Sequence, residues 1–102
     1  METRSSINIE FHPAAELELT EAVDYYESME KGLGLDFASE VIATINRIKA
    51  FPEAWPLLCH DINRSLVKRY PYGILYGIEK ERIYIVAVMN LNRDPDYWEQ
   101  RI

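Results

Sequence analysis

"SLVKRYPYGILYGIEKERIYIVAVM" (Ser65–Met89) decides the fold of this chain. Three strand-like runs, SLVKRY, YGILYGIE and RIYIVAVM, are separated only by Pro71 and by a short turn at Glu79–Glu81. Connections this tight join antiparallel neighbours, so the segment reads as a three-stranded meander. The last run is almost continuously apolar, which predicts a central strand covered on both faces.

Upstream, "FPEAWPLL" holds two prolines four residues apart, which remove amide donors and fix φ, so this stretch is expected to be irregular. Before it stand two helical patterns. Ala15, Leu19, Ala22, Tyr26 and Met29 recur at spacings of four and three, with Glu16, Glu18, Glu21, Asp24 and Glu27 turned away. Pro13 suits the first turn of this helix and "KGLG" its end. A second helix starts near Leu33 or Leu35, carries Ala38, Val41, Ile42, Ile45 and Ile48 on one face, and stops before Pro52. At the start, Ile7, Ile9 and Phe11 alternate with Asn8 and Glu10, the period of a half-buried strand. The expected order is therefore β-α-α-β-β-β, an α+β fold in which a helical hairpin packs on a small, mainly antiparallel sheet.

The chain has 102 residues, 48% apolar and 27% charged, a composition expected of one globular domain spanning residues 1–102. No run approaches the roughly 18 apolar residues of a membrane helix, and the opening residues lack the apolar core of a signal peptide. With a single cysteine, Cys59, the expectation is a cytoplasmic protein without an internal disulfide. Its net charge of −6 is divided unevenly: residues 1–60 hold eleven acids and four bases (net −7), residues 61–102 six acids and seven bases (net +1). An electropositive site is accordingly expected in the second half.

Together, "FHPAAELELTEAVDYYE", "GLGLDFASEVIATINRIKAFPEAWP", "RSLVKRYPYGILYGIE" and "IYIVAVMNLNRDPDYW" resemble the RelE/ParE family of toxins from type II bacterial toxin-antitoxin pairs. The likeness runs from about Ile7 to Trp98. It implies the fold just read, a cognate antitoxin as partner, and one of two activities. RelE-like members are ribosome-dependent messenger RNA endonucleases that use basic residues on the central strands and a tyrosine near the C-terminus. ParE-like members inhibit DNA gyrase.

Cleavage of RNA needs a proton acceptor, a proton donor and cations for the phosphorane. Arg64 and Lys68, four apart, would share one face of a strand, with Arg69 beside them. For a nuclease, Arg64, Lys68, Arg93 and Tyr97 would form the site. Yet Gly73, Asn90 and Asn92 stand where the resembled nucleases carry basic residues or histidine, and asparagine cannot shuttle a proton near neutral pH. The sequence is therefore closer to ParE-like than to RelE-like members, with Arg64, Lys68, Arg69, Asn90, Arg93, Tyr97 and Trp98 as target-contact candidates. A degenerate member that binds its antitoxin without toxicity stays open, as do a homodimer and a toxin-antitoxin hetero-oligomer.

Other residues have structural readings. Tyr25 and Tyr26 are expected to pack the hairpin on the sheet, and His12 to order a helix start. Arg64, Lys68 and Arg69 read equally as solvated edge-strand charges. Arg93 could pair locally with Asp94 and Asp96, and Tyr97 and Trp98 could seal the sheet edge. Cys59 and His60 are adjacent, so in an extended chain they would project apart. No metal or other cofactor is expected.

Overall fold

The computed structural model describes residues 8–102, so Ile7 lies outside the described residues. β1 (Asn8–Phe11) leads into α1 (Pro13–Met29) and α2 (Leu33–Ala50), followed by β2 (Leu57–Cys59), β3 (Ile62–Leu66), β4 (Tyr72–Glu79) and β5 (Arg82–Asn90). The strands form one sheet in the order β1-β5-β4-β3-β2. β1 runs parallel to β5 across the helical crossover, and every other pair is antiparallel. The expected α+β architecture is present. β2 is an addition to it: the proline-flanked stretch is irregular only as far as Pro56.

His12 caps α1, its Nδ1 accepting from the Ala14 amide at 2.9 Å, and Pro13 occupies the first turn, where no amide donor is needed. Between the helices, the Glu27 carboxylate accepts from the amides of Gly32 and Gly34, both at 2.9 Å. It thus satisfies donors at the start of α2 that Gly32, the N-cap, has no side chain to reach. Gly34 lets the two helices meet: a Cβ there would lie 2.5 Å from the Val23 carbonyl oxygen.

The hairpin buries Ala15 and Ala22 of α1 and Phe37, Val41 and Ile48 of α2 against Tyr72, Ile74, Tyr76, Ile83, Ile85 and Val88. Two expected core residues face outward, Met29 (59% exposed) and Ile42 (58%). Phe37 and Thr44 take the inward positions instead. Tyr26 packs edge-on with Tyr70 and Tyr72 and at a tilt against Phe37, with centroids 5.0–6.2 Å apart. Tyr25 contacts the Tyr26 ring but is itself exposed.

β5 is central, as its apolar run predicts. Between the pairs Leu75–Ala87 and Tyr76–Ile85 the register slips by one residue, a bulge that leaves Val86 without a counterpart. The bulge breaks the alternation. Ile83, Ile85 and Val88 join the helix-side core, whereas Val86, Ala87 and Met89 join a second cluster with Ile62, Leu75 and Trp98. The C-terminal segment thus supplies the cover for the far side of the sheet.

Candidate functional site

After Asn90 the chain must leave the sheet and return over it. The Asn90 side-chain oxygen accepts from the Asn92 amide at 2.9 Å, and the Asn90 carbonyl accepts from the Arg93 amide at 3.0 Å. This closes the turn that a short polar residue favours. Trp98 then drops into the second core, fully buried, its indole N–H donating to the Pro95 carbonyl at 2.7 Å. The expectation that Trp98 could anchor a target is corrected here, because its ring has no surface to offer. Hydrophobic burial holds it, and the only polar atom of the ring is satisfied locally.

A largely buried ion pair, each side chain 15% exposed, holds the end of this segment. Arg101 donates to Glu18 at 2.8 and 3.0 Å and to the Val86 carbonyl at 3.0 Å. Glu18 also accepts from the Val88 amide at 3.0 Å, a donor left free because β1 stops pairing at Ile85. One carboxylate therefore joins α1, β5 and the C-terminal turn.

Above this pair lies a cleft of about 210 Å³, with Glu18, Glu21 and Tyr25 on one wall and Asn90, Arg93 and Tyr97 on the other. The Arg93 guanidinium sits 4.0 Å from the Tyr97 ring centroid, a cation-π contact. Among the described residues it has no ion pair, so the expected pairing with Asp94 or Asp96 is replaced by the aromatic face. The Tyr97 hydroxyl is buried and, among the described residues, makes no well-formed hydrogen bond. Burial, and then the nearby Glu18 carboxylate, raise its pKa far above the ordinary phenol value, partly opposed by Arg101 and Arg93. A phenol held protonated in this way is a poor general base at neutral pH. The two carboxylates also make the cleft unfavourable for a phosphate.

A second cleft, of about 280 Å³, gathers Arg47, Arg64 and Lys68 beside Trp55 and Ser65. Lys68 stands beyond the end of β3, so it meets Arg64 through the following turn and not through strand alternation. The Arg64 side chain runs across Gly73, where a Cβ would come within 3.2 Å of its Cγ and Cδ. A side chain at position 73 would therefore press on the Arg64 stem, which would have to shift by a few tenths of an ångström. Arg47, on the last turn of α2, shows that the electropositive site is not confined to the second half of the sequence. Its signal was its place just before the proline-flanked loop. Among the described residues none of these three cations has an ion-pair partner, and the Ser65 hydroxyl beside them is buried without a hydrogen bond.

Arg69 belongs to neither cleft. It adopts φ 71 and donates to Asp36 at 2.9 and 3.1 Å and to Glu40 at 2.8 Å. The Tyr70 hydroxyl donates to the same Asp36 at 2.6 Å. Tyr70 first and Arg69 second hold the Asp36 carboxyl below its usual range. Arg69 thus ties the β3–β4 turn to α2 while its side chain stays 59% exposed. Cys59 and His60 depart from expectation too, since with Glu99 their ligand atoms all lie within 4.8 Å of one another.

A family profile described as "ParE toxin of type II toxin-antitoxin system, parDE" matches residues 9–95. A solved chain from the "Chromosomal ParDE TA system from P. aeruginosa" superposes with a TM-score of 0.74 over 84% of this chain and 97% of that one. At 11% identity that likeness concerns the fold alone. No curated protein matches the sequence. Among the described residues no helix is long and apolar enough to cross a membrane.

Proposed function

Because the chain belongs to the ParE toxin family of type II toxin-antitoxin systems, we propose that it arrests growth by binding a protein target, with DNA gyrase the leading candidate. One observation carries the preference for binding over RNA cleavage. The four residues a nuclease would need divide between two clefts, Arg64 and Lys68 in one and Arg93 and Tyr97 in the other. The second is lined by carboxylates and holds a protonated, buried phenol. Arg47, Arg64 and Lys68 supply unpaired positive charge suited to an acidic protein surface, and Arg93 adds an exposed cation at the far end of β5. Asn90 and Tyr97 act as supports for that end.

A cognate antitoxin neutralises the toxin by covering apolar surface on the helical hairpin. Leu17, Met29, Leu35 and Ile42 are all more than half exposed, a density of large apolar side chains that favours a partner. Co-purification with the product of the neighbouring gene tests this. Recovery of a stable complex from the parent and its loss in Leu35→Asp/Ile42→Asp is the expected pattern; an undiminished complex would place the antitoxin elsewhere.

The activity is tested by inducing the chain alone in a bacterial host and by adding purified protein to gyrase supercoiling and to ribosomes programmed with messenger RNA. Growth arrest with inhibited supercoiling, weakened by Arg64→Glu/Lys68→Glu, is expected. Codon-phased cleavage lost in Arg93→Ala would overturn the reading in favour of an endonuclease. Undisturbed growth despite soluble expression would favour a non-toxic antitoxin-binding protein.

A further inference from the structure

β2 ends at Cys59 and β3 begins at Ile62, and these two residues pair across the hairpin. The two-residue turn between them, His60 and Asp61, has φ of 51° and 63°, the left-handed conformation of a tight hairpin connection. That backbone removes His60 from strand alternation, so its imidazole lies on the same side as the Cys59 thiol. Burial of Trp98 then delivers the next residue, Glu99, to this hairpin. The Glu99 carboxylate comes 3.8 Å from His60 Nε2, and the three potential ligand atoms fall within 4.8 Å of one another. No hydrogen bond among the described residues engages any of these three side chains.

Two chemistries could use a thiol, an imidazole and a carboxylate. A nucleophile activated by a base requires hydrogen bonds of about 2.6–3.2 Å along the relay, and neither link is made. A metal ion demands looser ligand spacing. With zinc bonds of about 2.3 Å to sulfur and 2.0–2.2 Å to nitrogen and oxygen, tetrahedral ligands sit roughly 3.4–3.6 Å apart. The His60–Glu99 separation of 3.8 Å is near that spacing, and exposed side chains can rotate to close it. A thiolate and a carboxylate together neutralise a dication. Sulfur with imidazole selects zinc over magnesium or calcium. We propose that Cys59, His60 and Glu99 form a zinc site that clips the β2–β3 hairpin to the C-terminal helical turn, with water in the fourth position.

The test is titration of the reduced, metal-free full chain with Zn(II) by calorimetry, and with Co(II) as a spectroscopic probe of thiolate coordination. One ion per chain and a sulfur-to-cobalt charge-transfer band are expected, the band disappearing in Cys59→Ser. Glu99→Gln, and His60→Ala, exposed but set in a left-handed turn that costs alanine some stability, should each weaken binding by at least the about 10- to 100-fold that even outer-shell losses produce. Zinc should also raise the thermal midpoint of the parent and not that of His60→Ala. Absence of saturable binding, or binding undiminished in His60→Ala and Glu99→Gln, overturns the assignment. None of these readouts depends on toxicity, so this inference and the proposed function stand or fall separately.

Discussion

Arg101→Ala should destabilise the protein far more than the loss of a surface arginine ordinarily does. The substitution removes two charge-assisted hydrogen bonds from Glu18 and one bond from the Val86 carbonyl. Among the described residues Glu18 then keeps only the Val88 amide. Orphaning one member of a buried ion pair costs about 3–5 kcal/mol. Both side chains retain 15% exposure, so some water reaches the carboxylate and the lower end applies, about 3 kcal/mol. At roughly 4–8 °C per kcal/mol for a domain of about this size, the thermal midpoint falls by about 12 °C or more. Denaturant unfolding followed by tryptophan fluorescence checks this, because Trp98 sits in the core that the C-terminal turn covers. Glu18→Gln/Arg101→Met should recover most of the loss, since it removes the stranded charge. A loss below about 1 kcal/mol in Arg101→Ala with an unchanged denaturant slope would refute the clamp.

Further consequences can be checked on the same footing. Trp98→Ala should cost about 3–5 kcal/mol by opening the second core, read as a lower denaturation midpoint; a neutral result would mean that the ring is not buried in solution. Gly34→Ala forces a methyl against the Val23 carbonyl and should cost about 1–3 kcal/mol, whereas the same change at an exposed helical position would be harmless. The Tyr76 phenol donates to the Pro52 carbonyl at 2.6 Å, and burial pushes its pKa from 10.0 to about 12. The folded state therefore holds this proton where the unfolded chain releases it. That stability is fully present below about pH 10 and is lost as pH rises toward 12, so unfolding curves over this window should decline less steeply in Tyr76→Phe. Arg47→Gln loses the hydrogen bond to Thr44 and a cation from the last turn of α2, so it should cost only about 1 kcal/mol of stability while reducing growth arrest, and an unchanged toxicity would remove the basic cleft from target contact.

What the sequence determined by itself was everything carried by period and punctuation. The 3.6-residue spacing of Ala15, Leu19, Ala22 and Tyr26, the tight turn around Lys80 and the apolar run of β5 specify the two helices, the β4–β5 hairpin and the central strand, whereas β2 and the span of β3, which ends at Leu66 and not at Tyr70, carry no such mark. These are local regularities imposed by backbone geometry, and a one-dimensional string records them. The tertiary structure alone decided which residues meet. Nothing in the spacing of Glu18 and Arg101, or of Arg47 and Lys68, states that they share a site, because long-range partners are chosen by how the hairpin lies on the sheet. Likewise, the bulge at Val86 and the left-handed turn at His60 each break a simple alternation by a single residue. They redirect Ala87 and His60 to faces that strand periodicity would not assign. Trp98 illustrates the same limit: an aromatic after "RDPDY" reads equally as a surface anchor or a core residue. Only the uncovered apolar face formed by Leu75, Val86 and Met89 required it to be buried, and with that burial the C-terminal turn, its ion pair and the Cys59–His60–Glu99 cluster were brought into place.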